Sequence, residues 1–258
     1  MCFAITKKHK ACREKEYRVK QGHIAILFVI LYISCFLILH LEQKKYDTAV
    51  YEKKRIETAL LNAIENTGLE YEKVLFETDI KQQLFFENSF FSGLFVFMEI
   101  FDQKEKQQSI MLHTPLLVLV EEDGAFFNYV VEKQDKNNAS LLRSWSEKIK
   151  FDYPDICTEA QKKTIVVNTL EKTTSDIISN HNYIATQYGL SYQFSVPDFL
   201  GNMEETLEFP ILLVVFQGWP LNASGDITYE NCMDAAVFLQ RVKMELPMQD
   251  GIPYKEIY

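Results

Sequence analysis

Between Gly22 and Leu41 the chain reads GHIAILFVILYISCFLILHL, twenty positions without Asp, Glu, Lys or Arg and without Gly or Pro after the first. At about 1.5 Å of rise per residue, a helix of this length spans roughly the 30 Å hydrocarbon core of a bilayer. His23 and His40 fall at its two ends, where a polar ring reaches the headgroup level. The pattern predicts one membrane-spanning helix over 22–41, with lipid as its first partner.

Helical periodicity continues beyond the apolar run. Residues 42–66 contain neither Gly nor Pro, and Tyr46, Ala49, Val50, Ile56, Ala59, Leu60 and Ile64 form an apolar stripe opposite a charged face. Gly68 offers a stop. The stripe predicts an amphipathic helix over 42–68, coaxial with the anchor. Its face of Tyr46, Ala49, Ile56, Leu60 and Ile64 has two possible uses: packing on neighbouring copies as a homo-oligomer, or packing within one chain.

Residues 69–258 read as a mixed domain. Helical character runs over 69–86, and Asn88-Ser89 is placed to cap a further helix reaching about Gln107. That helix contains FFSGLFVFMEIF, too short to cross a bilayer and apolar enough for a buried core helix. LLVLVEEDGAFFNYVVEK then predicts two strands joined at Asp123-Gly124. A helix is expected over 138–150, with Leu141, Leu142 and Trp145 on one side. A long helix is expected over 158–188, opened by a capping box of Thr158 and Gln161 and closed by Gly189. Strands over 191–196 and 207–216, a helix over 229–245 and an irregular tail complete the reading. The fold class is α+β: a transmembrane helix, a long amphipathic helix, and a mixed helix and antiparallel-sheet domain.

Charge distribution adds an orientation. Residues 1–21 carry seven Lys or Arg against two Glu, whereas the rest carries 20 basic against 34 acidic side chains. A basic tail of +5 and an acidic remainder of −14 place the N-terminus in the cytoplasm and residues 69–258 outside it, although Lys44, Lys45, Lys53, Lys54 and Arg55 also follow the helix. An acidic head argues against nucleic acid as a partner, since phosphate contacts require basic surface. Of the five cysteines, Cys157 and Cys232 are the pair in the outer domain, open to a disulfide or to two separate thiols.

Candidate chemistry is sparse. His113 and His181 are the histidines of the outer domain, and neither stands at metal-ligand spacing with another His or Cys. No phosphate-cradling Gly-rich loop and no G-x-S-x-G elbow occurs, and the carboxylates of Glu121-Glu122-Asp123 and Glu204-Glu205 fall at turns. No catalytic residue, metal or cofactor is expected. Gly218-Trp219-Pro220 puts an aromatic at a turn after the apolar strand FPILLVVF, either displayed for recognition or folded back on the core.

A basic segment ending Lys20-Gln21-Gly22, an apolar helix running on as an amphipathic one, and an α+β domain together resemble type IV pilins and pseudopilins. The stretches TPLLVLVEEDG and FPILLVVFQGWPL are similar to membrane proteins of tight-adherence pilus and conjugation loci in Gram-positive bacteria. The resemblance implies cleavage after Gly22, a mature chain starting at His23, and helices bundled in an assembly. It departs where the family carries Glu five residues into the mature chain, a position held here by Leu27. The expected role is a single-pass, non-enzymatic component of a surface assembly in the cell membrane, with other membrane or assembly proteins as partners. A sensing or ligand-binding domain is the alternative and an anchored hydrolase the third reading.

Overall fold

The computed structural model describes residues 3–135, 138–199, 203, 208–221, 233–242, 248–249 and 252–253. Helix α1 (Phe3–Tyr71) is one uninterrupted helix of 69 residues. The chain divides into two compact units, 1–50 and 51–258. In the first unit every residue from His23 to Asp47 is exposed, including Phe28 at 70% and Tyr32 at 72%. An apolar helix with no protein cover has its backbone satisfied internally and its side chains free to meet lipid. The described part of α1 and the short turn after it, His23–Val74, is long and apolar enough to cross a membrane.

The second unit is built on an antiparallel sheet. Its strands are β1 (Leu116–Val120), β2 (Gly124–Asp135), β3 (Asn138–Trp145), β4 (Ile149–Lys150), β5 (Ile211–Phe216) and β6 (Ala236–Arg241), in the order β3-β2-β1-β5-β6 with β4 also on β2. β1 is central: Val118 pairs with Phe127 on one side and Leu213 on the other. All five residues of β1 and all six of β5 are buried, which a strand of continuous apolar character requires of its surroundings.

Alternation along the strands assigns two covers. On one face Leu116, Val118, Phe127 and Leu213 pack against Val166, Val167 and Leu170 of α4 (Glu159–Gln187). On the other, α2 (Asp79–Phe97) contacts β2 and β3: Phe86 lies 6.1 Å from the Trp145 ring, and Glu87 accepts hydrogen bonds from Asn128 and Trp145. The last turns of α1 join α2 on that side. A Cβ at Gly93 would stand 3.8 Å from the Ala63 backbone, and Gly68 abuts Gln240 of β6. The domain is therefore a helix pair, a sheet and a helix, in three layers.

Several expectations hold. The two expected strands pair as a hairpin, though its turn is at 121–123 with Gly124 already in β2; α4 opens with the Thr158–Gln161 capping box, and Gly189 ends it at φ +82°. Phe90, Phe91, Leu94 and Phe95 are buried, as a core helix demands.

Others are corrected. Gly68 does not stop α1, which continues to Tyr71; a glycine stop takes positive φ, whereas Gly68 stays helical against Gln240. Asn88 and Ser89 lie inside α2, whose N-cap is Thr78. The helix that should have run to Gln107 ends at Phe97, where Glu99 takes φ +58°, and α3 (Lys104–His113) follows. Residues 138–145 form β3 rather than a helix, because pairing with β2 from Asp135↔Asn138 to Asn128↔Trp145 fixes them as an edge strand. Within the segment expected as a helix over 229–245, residues Ala236–Arg241 form strand β6, paired to β5 through Val214↔Phe238. Residues 191–196 form no strand; Phe194 is held instead by the Asn182 side chain and Ser195 by that of Gln217. The tail holds a small ladder, β7 (Met248–Gln249) on β8 (Ile252–Pro253).

Candidate functional site

The stripe read from Tyr46 to Ile64 splits. Tyr46 is 70% exposed and Ala49 half-buried, whereas Ile56, Leu60 and Ile64 are at most 1% exposed. The last three are core residues of the second unit, so they present no face to a neighbouring copy. The reading of these three as an interaction surface is corrected: the domain's own core takes them, because burying each apolar side chain is worth roughly 1.5–3 kcal/mol. Gly22 and His23 both lie within α1.

Trp219 is half-buried rather than displayed. Gly218 adopts φ +70° and donates to the carbonyl of Met233, whose amide in turn donates to Trp219 O. This turn lays the indole 5.2 Å from the His113 ring and 6.1 Å from Phe216. Cys157 is a free, half-buried thiol that donates to Thr158 O at 3.6 Å, and Cys232 lies outside the described residues.

The two histidines, 68 positions apart, are brought to one place. His113 donates Nδ1–H to Gln217 O at 2.9 Å, and His181 donates Nε2–H to Leu112 O at 2.7 Å. A carbonyl only accepts, so each ring nitrogen must carry the proton. Both rings border Phe194, at 6.2 and 4.6 Å. Burial holds both imidazoles down to a pKa of about 4 against the Gln217 and Leu112 carbonyls, which favour the charged form. For His181 the nearby positive charge of Arg143 pushes the same way, as does His113 once it is itself protonated. Its Nδ1 is sealed from solvent with no partner among the described residues. A buried imidazole held at about 4 lies well below the range in which a general base works best at neutral pH.

A polar network joins residues that the sequence reading did not single out. Arg143 donates to the Asn128 side chain, to Thr114 O at 2.8 Å and to Asn128 O at 3.1 Å, with its guanidinium 5.1 Å over the Phe91 ring. Asn128 passes the chain to Glu87 at 2.8 Å, which also accepts from the Trp145 indole at 2.9 Å. Desolvation lowers the Arg143 pKa to about 10, against the raising effect of Glu87. The arrangement fastens α2, the end of α3, β2 and β3. Its one sequence signal is polar side chains at Asn128 and Arg143 on otherwise apolar strands.

The acidic hairpin tip is neutralised locally: Lys148 reaches Glu121 at 2.5 Å and Asp123 at 2.8 Å. Among the described residues no cluster of three or more His, Cys, Asp or Glu is able to hold a metal. An open groove of about 770 Å³ lies between the end of α1 and α2, lined by Asn66, Leu69, Phe85, Ser89, Ser92 and Gly93 among others. No protein-family model, no curated protein and no solved structure matches the chain.

Proposed function

We propose that the protein is a single-pass membrane protein whose acidic α+β head works, without catalysis, as a pilin-like subunit of a surface assembly. The observation that carries the proposal is α1 itself. One helix is bare and apolar from His23 to Leu41, and the same helix supplies Ile56, Leu60 and Ile64 to the core of the second unit. Burial of Ile56, Leu60 and Ile64 makes the end of α1 part of the head's own core, and the apolar run before it is of the length that an anchor needs. The basic segment 1–21 orients the tail to the cytoplasm.

Association in lipid depends on close side-chain packing between helices. The uncovered turns of α1 around Tyr46 and Val50, 70% and 49% exposed, are the part of the expected face that remains available. A Tyr46→Cys variant tests this in native membranes. The proposal expects a thiol crosslinker to yield adducts of discrete mass through the introduced thiol. Monomer alone, with crosslinking no greater than that of the wild-type chain and its five cysteines, would count against assembly through α1.

A further inference from the structure

The end of the α1–α2 helix pair carries apolar side chains that the fold does not use. Leu69 is 71% exposed, Phe76 97%, Ile80 68% and Leu84 50%. Ile80 and Leu84 stand one turn apart on the outer side of α2, and Phe76 lies in the turn that leads into it. Leu69 connects to α2 through the groove it shares with Phe85. The groove is lined by small residues, Ser89, Ser92 and Gly93, where α1 and α2 approach closely. Those small side chains leave room for bulky apolar ones from outside.

The surrounding charge limits what enters. Residues 65–81 hold five acids, Glu65, Glu70, Glu72, Glu77 and Asp79, against Lys73 and Lys81. Both lysines are taken, Lys73 by Glu70 at 3.8 Å and Lys81 by Glu77 at 2.6 Å. Glu65, Glu72 and Asp79 are left without a basic partner among the described residues. A second copy docked face to face would set these acids against themselves, and an anionic lipid surface would be repelled likewise. Charge complementarity selects a protein segment with an apolar stripe flanked by Lys or Arg.

We infer that the groove and the exposed Leu69, Phe76, Ile80 and Leu84 form a docking site for a basic amphipathic helix of another protein. The inference rests on the assembly reading above and names the chemistry of the partner that the head contacts. The helix lays apolar side chains into the groove at i, i+3 and i+4 spacing, and its basic flanks meet Glu65, Glu72 and Asp79.

The experiment uses the full chain in phosphatidylcholine nanodiscs and a fluorescent 21-residue Leu/Lys amphipathic helix as probe, with a Leu/Glu helix of the same pattern as its mirror. Binding in the micromolar range is expected for the Leu/Lys helix and none for the Leu/Glu helix. Phe76→Asp and Ser92→Trp each weaken binding tenfold or more, one by removing an anchor and one by filling the groove. Phe76 is almost wholly exposed, so its replacement has no packing to break, and unchanged circular dichroism confirms the fold. Asp176→Lys, an exposed position on α4 at the opposite face of the sheet, leaves affinity within twofold. Equal binding of both helices, or equal binding to wild type and Phe76→Asp, would overturn the site. So would a dimer, or flotation with phosphatidylglycerol vesicles, that Phe76→Asp abolishes. The Tyr46→Cys crosslinking in native membranes separates the two ideas: a chain that crosslinks there while its head binds neither helix loses the docking site and keeps the assembly reading.

Discussion

His113 and Gln217 hold each other twice: the Gln217 amide donates to His113 O at 2.9 Å, and the His113 ring donates Nδ1–H to Gln217 O at 2.9 Å. The pair joins the end of α3 to the residue after β5 and leaves the ring buried. Because folding depresses both His113 and His181 to about 4, the unfolded chain takes up their protons first. Their contribution is complete above the unfolded value of about 6.5 and is lost as pH falls from there through about 4. Acidification through that window should cost up to about 3 kcal/mol for each residue. Urea midpoints at pH 7.5, 6 and 5 should fall steeply for wild type. His113→Asn and His181→Gln keep a donor near the original position and should flatten the profile; an unchanged slope would contradict the assignment.

The Glu87 carboxylate accepts from two partly buried donors, so its removal strands both. Glu87→Ala should cost about 2–3 kcal/mol, read as a shift in the denaturant midpoint at constant slope, and Glu87→Gln should cost less because one acceptor oxygen remains. Arg143→Lys should also destabilise, since an ammonium reproduces neither the guanidinium fork nor its stacking on Phe91.

Charge placed on the two halves of the α1 stripe should behave oppositely. Ile56→Asp or Leu60→Asp buries an unpaired carboxylate and should cost on the order of 4 kcal/mol or more, seen as lost near-ultraviolet dichroism. Tyr46→Asp touches no core and should leave the melting temperature unchanged, while reducing crosslinking in membranes.

Thr158 accepts from the Gln161 amide, and Gln161 returns the bond to the Thr158 amide at 2.9 Å. Thr158→Ala should cost about 1 kcal/mol, or roughly 2–4 °C of melting temperature for a domain of this size. A change under about half a degree would show that α4 is held by packing alone.

What was legible in the chain was local. The Thr158 cap and the Gly189 stop each involve residues within a few positions of one another and appear where expected, while the hairpin forms with its turn one residue early, at Glu122-Asp123, and Gly124 already in β2. The two segments misread as helices, 138–150 and 229–245, contain β3 and β6, the two edges of the sheet. Edge strands mix exposed and buried positions, so Leu141, Leu142 and Trp145 fit a helical face as well as a strand. Only their pairing with β2 decides, and pairing is not written in a window of about ten residues. The meeting of His113 with His181 and the Glu87–Asn128–Arg143 network have the same origin. The fate of the α1 stripe was open for a different reason: periodicity shows that a face is apolar, and Ile56, Leu60 and Ile64 needed α2 and the sheet to say what covers it.

The anchored rod with its head outside the cytoplasm is the central claim, and protease accessibility of intact cells tests it most directly. With a tag on each terminus, added protease should remove the head and its tag while the tag before residue 22 survives, and the remaining fragment should resist carbonate extraction. A head untouched until the cells are lysed, or a chain released by carbonate, would contradict the account.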